Sequence, residues 1–220
     1  MFLNKIANNQ DKKSLSSQMR LIRYNYFISL VNNLPKPVNV LDVGGTQEYW
    51  QAMGLEDDQI KITLLNLTHQ KVTSPNFISE IGDATNLSSY NDNSFDIVFS
   101  NSVIEHLFTF ENQKKMAKEV CRVGKYHFIQ TPNYFFPIEP HFLFPGFQFL
   151  PKMLRVLLIK NFNLGHVNKK VNWRDAKNQI DEICLLTEGK MEQLFPEDFL
   201  WKENYYGFTK SFVAHNFFKK

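Results

Sequence analysis

Val38-Asn39-Val40-Leu41-Asp42-Val43-Gly44-Gly45-Thr46 is an apolar, β-branched run that ends in an acid and two glycines. Such a run reads as a buried parallel strand feeding a tight turn into a helix. Glycine lets the backbone pass close to a ligand where a Cβ would intrude. The helix start beyond it offers unpaired N–H groups to a polar or anionic group. The pattern implies a nucleotide-like ligand, but not a dinucleotide. A Gly-x-Gly-x-x-Gly fingerprint would need glycine where Thr46 and Tyr49 stand. An acid just before the glycines repels a pyrophosphate and suits a ligand that carries positive charge.

Upstream, Leu15, Met19, Ile22, Tyr26, Leu30 and Leu34 recur at helical spacing and stop at Pro35 and Pro37, which predicts an amphipathic helix leading into the first strand, 38–43. Downstream, a short helix over 47–53 ends at Gly54. Strands are expected over 61–66, 77–81, 94–100 and 126–130, with a helix over 111–122 carrying Met116, Ala117, Val120 and Cys121 on one face. Strands alternating with helices give a parallel α/β sheet with right-handed crossovers and helices on both faces. After Thr131 the chain turns aromatic and proline-rich, Tyr134-Phe135-Phe136-Pro137-Ile138-Glu139-Pro140-His141-Phe142-Leu143-Phe144-Pro145, which excludes a regular helix or a central strand. A short amphipathic helix over 151–160, a helix capped by Thr187, and two closing strands over 199–205 and 209–217 complete the pattern.

The 220 residues are read as one domain: an N-terminal helical segment 1–37, a ligand-binding core 38–131, an insertion 132–186 over the substrate, and a closing helix and strands 187–220. Residues 38–131 carry twelve acidic side chains against seven basic, whereas residues 1–37 carry six basic against one acidic. An acidic core argues against nucleic acid as a partner. The basic flanks suit an anionic substrate or peripheral contact with an anionic membrane surface. Met1 to Lys13 does not read as a signal peptide, no apolar run is long enough to span a bilayer, and Cys121 and Cys184 fit neither a disulfide framework nor a metal knuckle. The expected compartment is therefore the cytoplasm, with both cysteines in the core. Oligomeric state is left open.

Asp42-Val43-Gly44-Gly45-Thr46 resembles the first motif of class I methyltransferases, Asp-x-Gly-x-Gly, with Thr46 at the last glycine. Phe95-Asp96-Ile97-Val98-Phe99-Ser100-Asn101-Ser102-Val103-Ile104-Glu105-His106-Leu107 looks like the fourth motif and following loop of the small-molecule, type-11-like branch. The resemblance implies a Rossmann-like sheet with a C-terminal antiparallel strand pair and an insertion after strand five. It implies S-adenosylmethionine as cofactor and methyl transfer to a small molecule or a glycan- or lipid-linked precursor. Asp42, Gly44 and Gly45 would face the methionine part, Asn66 the ribose, Asp83 and Ala84 the adenine, and Ser100 and Asn101 the reacting end. Asn66 stands where the family usually has an acid, and with one carbonyl acceptor and an amide donor it serves a ribose only in part. Glu105 and His106, expected to open the next helix, are candidate catalytic groups, and so are Glu139 and His141 in the insertion. Some quinone O-methyltransferases bind a metal with this Glu-His and a neighbouring acid pair. Ser102 replaces the first of those acids, so no metal is expected. The alternative is a catalytically silent, cofactor-binding regulator or scaffold of the same fold.

Overall fold

In the computed structural model, which describes residues 14–218, the run Val38–Val43 is strand β1, in the interior of a seven-stranded sheet. It pairs in parallel with β2 (Ile60–Asn66) on one side and β4 (Phe95–Asn101) on the other. Strand β3 (Phe77–Ile81) extends the sheet beyond β2, and β5 (Gly124–Pro132) extends it beyond β4, both in parallel. A hairpin of β8 (Phe199–Tyr205) and β9 (Phe208–His215) closes the far edge, with β9 antiparallel to β5. The order is β3-β2-β1-β4-β5-β9-β8, so the chain reverses direction across the sheet between β1 and β4. That reversal opens a crevice beyond the carboxyl ends of the strands, where ligands bind in open α/β sheets. The fold is the expected Rossmann-like one.

Two apolar layers sandwich the sheet. On one face, Phe27, Leu30 and Val31 of α1 (Leu15–Val31) and Trp50 of α2 (Gln47–Met53) pack on Val40, Ile62, Phe99, Phe128 and Val213. On the other, Met116 and Val120 of α3 (Phe110–Val123) and Met191 of α6 (Glu188–Leu194) pack on Leu41, Val98 and Ile129. A third cluster lies in the insertion. It joins Val156 and Ile159 of α4 (Lys152–Asn161) to Ala176 and Ile180 of α5 (Trp173–Glu182), with Phe142 and Phe147. The proline-rich run forms only the two-residue strands β6 (Ile138–Glu139) and β7 (Phe144–Pro145), paired antiparallel.

Several expectations are corrected. Ile22 of α1 is exposed, and Arg23 is buried in its place, because the sheet edge offers that helix face a carboxylate. In α4, Met153 and Leu157 face out. Helix α5 was not foreseen, because only Ala176 and Ile180 of its ten residues are buried. Glu105 and His106 do not open α3. They lie in a separate 3-10 turn, Ile104–His106, and α3 begins at Phe110 with Thr109 as its N-cap. Neither cysteine is in the core: Cys121 is exposed and Cys184 half-buried, both as free thiols.

Candidate active site

At the end of β1 the two glycines have local causes. Gly44 adopts a φ of +79°, in the left-handed region that favours glycine. A Cβ on Gly45 would fall 1.6 Å from the Asp42 carboxylate, so that carboxylate lies directly beneath the turn. Thr46 is the N-cap of α2, its side chain accepting from the Tyr49 N–H, which is the work done where a third glycine was sought.

Asp42 is fully buried and accepts a 2.7 Å hydrogen bond from Trp50 Nε1. Burial drives its carboxyl up to about 7 against the opposing pull of Trp50. Its Oδ1 and the buried Tyr49 hydroxyl have no partner among the described residues. Arg23 and Arg20 of α1 act on Tyr49 electrostatically. The turn therefore holds a carboxylate and an orphan hydroxyl within the field of two guanidinium groups, which suits a ligand carrying both an ammonium and a carboxylate. S-adenosylmethionine has both.

Asn66, at the end of β2, donates from Nδ2 to the Gly45 carbonyl at 2.9 Å, leaving Oδ1 as the atom able to accept from a ribose hydroxyl. Asp83 is exposed beyond β3, and its Oδ1 accepts from the Thr85 N–H and hydroxyl, while Ala84 beside it is buried. Ser100 does not reach the crevice. It is fully buried and its hydroxyl donates to the Val43 carbonyl at 3.1 Å, tying β4 to β1. Asn101 is partly exposed at the strand end and accepts from Arg23.

Next to Asn101 the backbone turns sharply. Ser102 has a φ of +60°, and its hydroxyl donates to Gln130 Oε1 at 2.8 Å. The turn directs Glu105 and His106 toward the insertion, which brings Glu139 and His141 to meet them. His141 Nδ1 lies 2.7 Å from Glu139 Oε1, while Glu139 Oε2 accepts the His141 and Phe142 N–H groups. His106 Nδ1 lies 3.2 Å from Glu182 Oε1 on α5, and the two rings meet Nε2 to Nε2 at 3.2 Å, nearly perpendicular. Burial pulls the His141 imidazole down, but Glu139 outweighs it, and the net direction is up. Glu105 is fully buried, and its carboxyl is pushed up by burial. Oε2 accepts from the Thr131 hydroxyl at 2.9 Å, and Oε1 has no partner among the described residues. All four catalytic candidates thus belong to one cluster.

His106 and His141 open onto a cavity of about 340 Å³ between α1, the insertion and the β8–β9 hairpin. Phe136, Ile138, Pro140 and Leu143 form its apolar wall, and Ser102 and Gln130 lie at the strand ends. Arg20, Arg23 and Lys210 also line it. Arg23 is paired with Glu203, whereas Arg20 and Lys210 have no ion-pair partner among the described residues. Burial, with Arg23 nearby, lowers the Lys210 ammonium to about 8. Sequence reading missed Arg20, Gln130, Glu182 and Lys210. Each sits in an ordinary helix or strand pattern, and only the fold brings them to one wall.

Residues 41–127 match the family model described as a methyltransferase domain. The chain carries a methyltransferase-like domain over those residues. Two uncharacterised proteins of Mycobacterium tuberculosis, from two strains, are each 38% identical over 82 residues, a match that spans 36% of this chain and 28% of theirs. Among solved structures, a SAM-dependent methyltransferase of Methanosarcina mazei superposes with a TM-score of 0.55 at 13% identity, over 85% of this chain and 95% of that one. The CurJ carbon methyltransferase gives a TM-score of 0.56 at 11% identity, over 94% of this chain and 56% of that one. At such identities the likeness is one of fold. The family match ends at His127, so the insertion lies outside it, and of the cavity's lining only Ser102 and His106 fall within it.

Proposed function

We propose that this methyltransferase domain moves a methyl group from S-adenosylmethionine onto an acceptor held in the cavity between α1, residues 132–186 and the β8–β9 hairpin. The observation that carries the reading is the Glu105–His106–His141–Glu139 cluster, whose two imidazoles line that cavity beyond the end of β4. The bound cofactor supplies an electrophilic methyl carbon on a sulfonium. Asp42, Asn66, Asp83, Ala84 and Asn101, with Gly44 and Gly45 shaping the turn, hold it. The cavity wall orients the acceptor for in-line approach and excludes water. The His141 imidazole, braced by Glu139, and His106 take the acceptor's proton.

The acceptor is a small molecule or a glycan- or lipid-linked precursor with an anionic group. Arg20 and Lys210 favour negative charge, and the apolar wall favours a hydrocarbon portion. Residues 152–177 carry seven basic side chains against one acidic, beside the exposed Met153, Leu157, Phe162 and Trp173. That surface suits peripheral contact with an anionic membrane. No described helix is long and apolar enough to cross one.

Calorimetry with S-adenosylmethionine and its homocysteine product, followed by a labelled-methyl screen of acceptors, tests the reading. Saturable cofactor binding and label transfer are expected. Binding of NAD with no signal from S-adenosylmethionine would overturn it.

A further inference from the structure

We propose that Glu105, His106 and His141 form a binding site for a divalent first-row transition cation of the zinc class. One potential ligand atom from each lies within 4.8 Å of the other two. The separation of the two Nε2 atoms, 3.2 Å, is close to the edge of a tetrahedron built on metal–nitrogen bonds of about 2 Å. Both rings are already oriented as metal-binding histidines are. Each turns Nδ1 to a carboxylate, His141 to Glu139 and His106 to Glu182, which leaves both Nε2 atoms pointing at the same space. With both Nδ1 atoms donating to carboxylates, two neutral rings face lone pair to lone pair, and a proton shared between them or a cation relieves that repulsion. The third donor is independent of the rings: Glu105 Oε1 is buried, has no hydrogen-bond partner among the described residues, and belongs to a side chain with no solvent exposure. Leaving a carboxylate oxygen unpaired in the interior is costly, and a cation removes that cost.

Two imidazoles and one carboxylate suit zinc, cobalt or iron better than calcium or magnesium, which favour all-oxygen sets. His106 and His141 also line the cavity, so the remaining coordination positions face it. An acceptor oxygen completing the shell there would be activated by the ion, the two imidazoles then serving as ligands in place of bases. The site is assembled from two parts of the chain. Glu105 and His106 come from the turn after β4, and His141 comes from the insertion.

The test needs neither cofactor nor acceptor, so it stands or falls separately from methyl transfer. Chelator-stripped full-length protein is dialysed against zinc chloride for stoichiometry, and titrated with cobalt(II) to follow the visible absorption of the bound ion. One ion per chain is expected, with a cobalt band typical of nitrogen and oxygen ligands. His141→Ala should weaken binding at least tenfold, and Glu139→Gln, which loosens the His141 ring, about ten- to a hundredfold. His69→Ala, at a histidine outside the cluster, should change nothing. Should His141→Ala fail to fold by circular dichroism, the Glu139→Gln and wild-type titrations decide. No stoichiometric binding by the wild type, or affinity unchanged in a folded His141→Ala or Glu139→Gln protein, would overturn the proposal.

Discussion

Asp42 sits under the glycine turn at a cost in stability. Its folded carboxyl, raised to about 7, lies above its ordinary value of 3.8, so the folded state holds the proton more tightly than the unfolded chain does. Stability from this group is fully present below the unfolded value and is lost as the pH rises through about 7. Asp42→Asn removes the ionisation. The cofactor-free variant should melt higher than wild type at pH 8, while the difference shrinks toward pH 5. Calorimetry should show cofactor affinity reduced tenfold or more, because the carboxylate that balances an ammonium is gone. A lower melting temperature at pH 8 would contradict this. Asn66 teaches a related lesson. Its amide is spent on the Gly45 carbonyl, a bond no carboxylate can donate. Asn66→Asp should therefore destabilise the chain by about 1–3 kcal/mol, seen as a lower urea midpoint with unchanged slope. The family habit of an acid at the end of β2 leads the sequence reading to expect Asp here to serve the ribose better, which concerns cofactor binding and not stability. The hydrogen bond that sets the stability cost runs between residues 21 apart and leaves no local pattern.

Helix α1 is held to the sheet edge by more than its apolar face. Arg23 donates to both Glu203 oxygens at 2.7–3.1 Å, and Ser211 donates to the same carboxylate, with Arg23 and Glu203 both nearly inaccessible to water. Glu203→Gln leaves a guanidinium buried with its charge uncompensated and should cost about 3–5 kcal/mol. Replacing both partners, Arg23→Met with Glu203→Leu, should restore most of that loss. Denaturant midpoints for the two proteins check the pair, and equal losses would show that packing, not charge, sets the cost. Elements with one dominant period were legible. Strands β1 and β3 and helix α2 fall where their β-branched runs and glycine or threonine caps put them. Helix α1 was legible as a helix but not in its facing, because an arginine reads as surface until its partner, 180 residues away, is known. Helix α5 was illegible because its contact with α4 rests on two small or medium side chains in a polar sequence.

At the scale of the molecule, acidic side chains outnumber basic ones in residues 38–131, and basic ones gather in the insertion. If the insertion meets an anionic surface, sedimentation with phosphatidylglycerol-containing vesicles should capture the protein, and phosphatidylcholine vesicles should not. High salt should release it, and the paired change Met153→Glu and Leu157→Glu should abolish capture without altering cofactor affinity. Capture by neutral vesicles alone would refute the electrostatic part. The candidate site was legible only in halves. Glu105-His106 and Glu139–His141 were visible as separate titratable pairs, but their meeting depends on the Ser102 turn and on the path of the insertion. The ends of that insertion have a wider consequence. Asn133 and Leu186 form a bridge, and the Tyr134 N–H donates to the Leu186 carbonyl at 2.9 Å, so the segment leaves the sheet and returns to it at adjacent points. A loop whose ends already meet can grow or shrink at an entropic cost that rises only with the logarithm of its length. The segment is therefore a cassette: a lineage could exchange it, and with it one of the three metal ligands and most of the acceptor wall, while the cofactor half of the sheet keeps its hydrogen bonds.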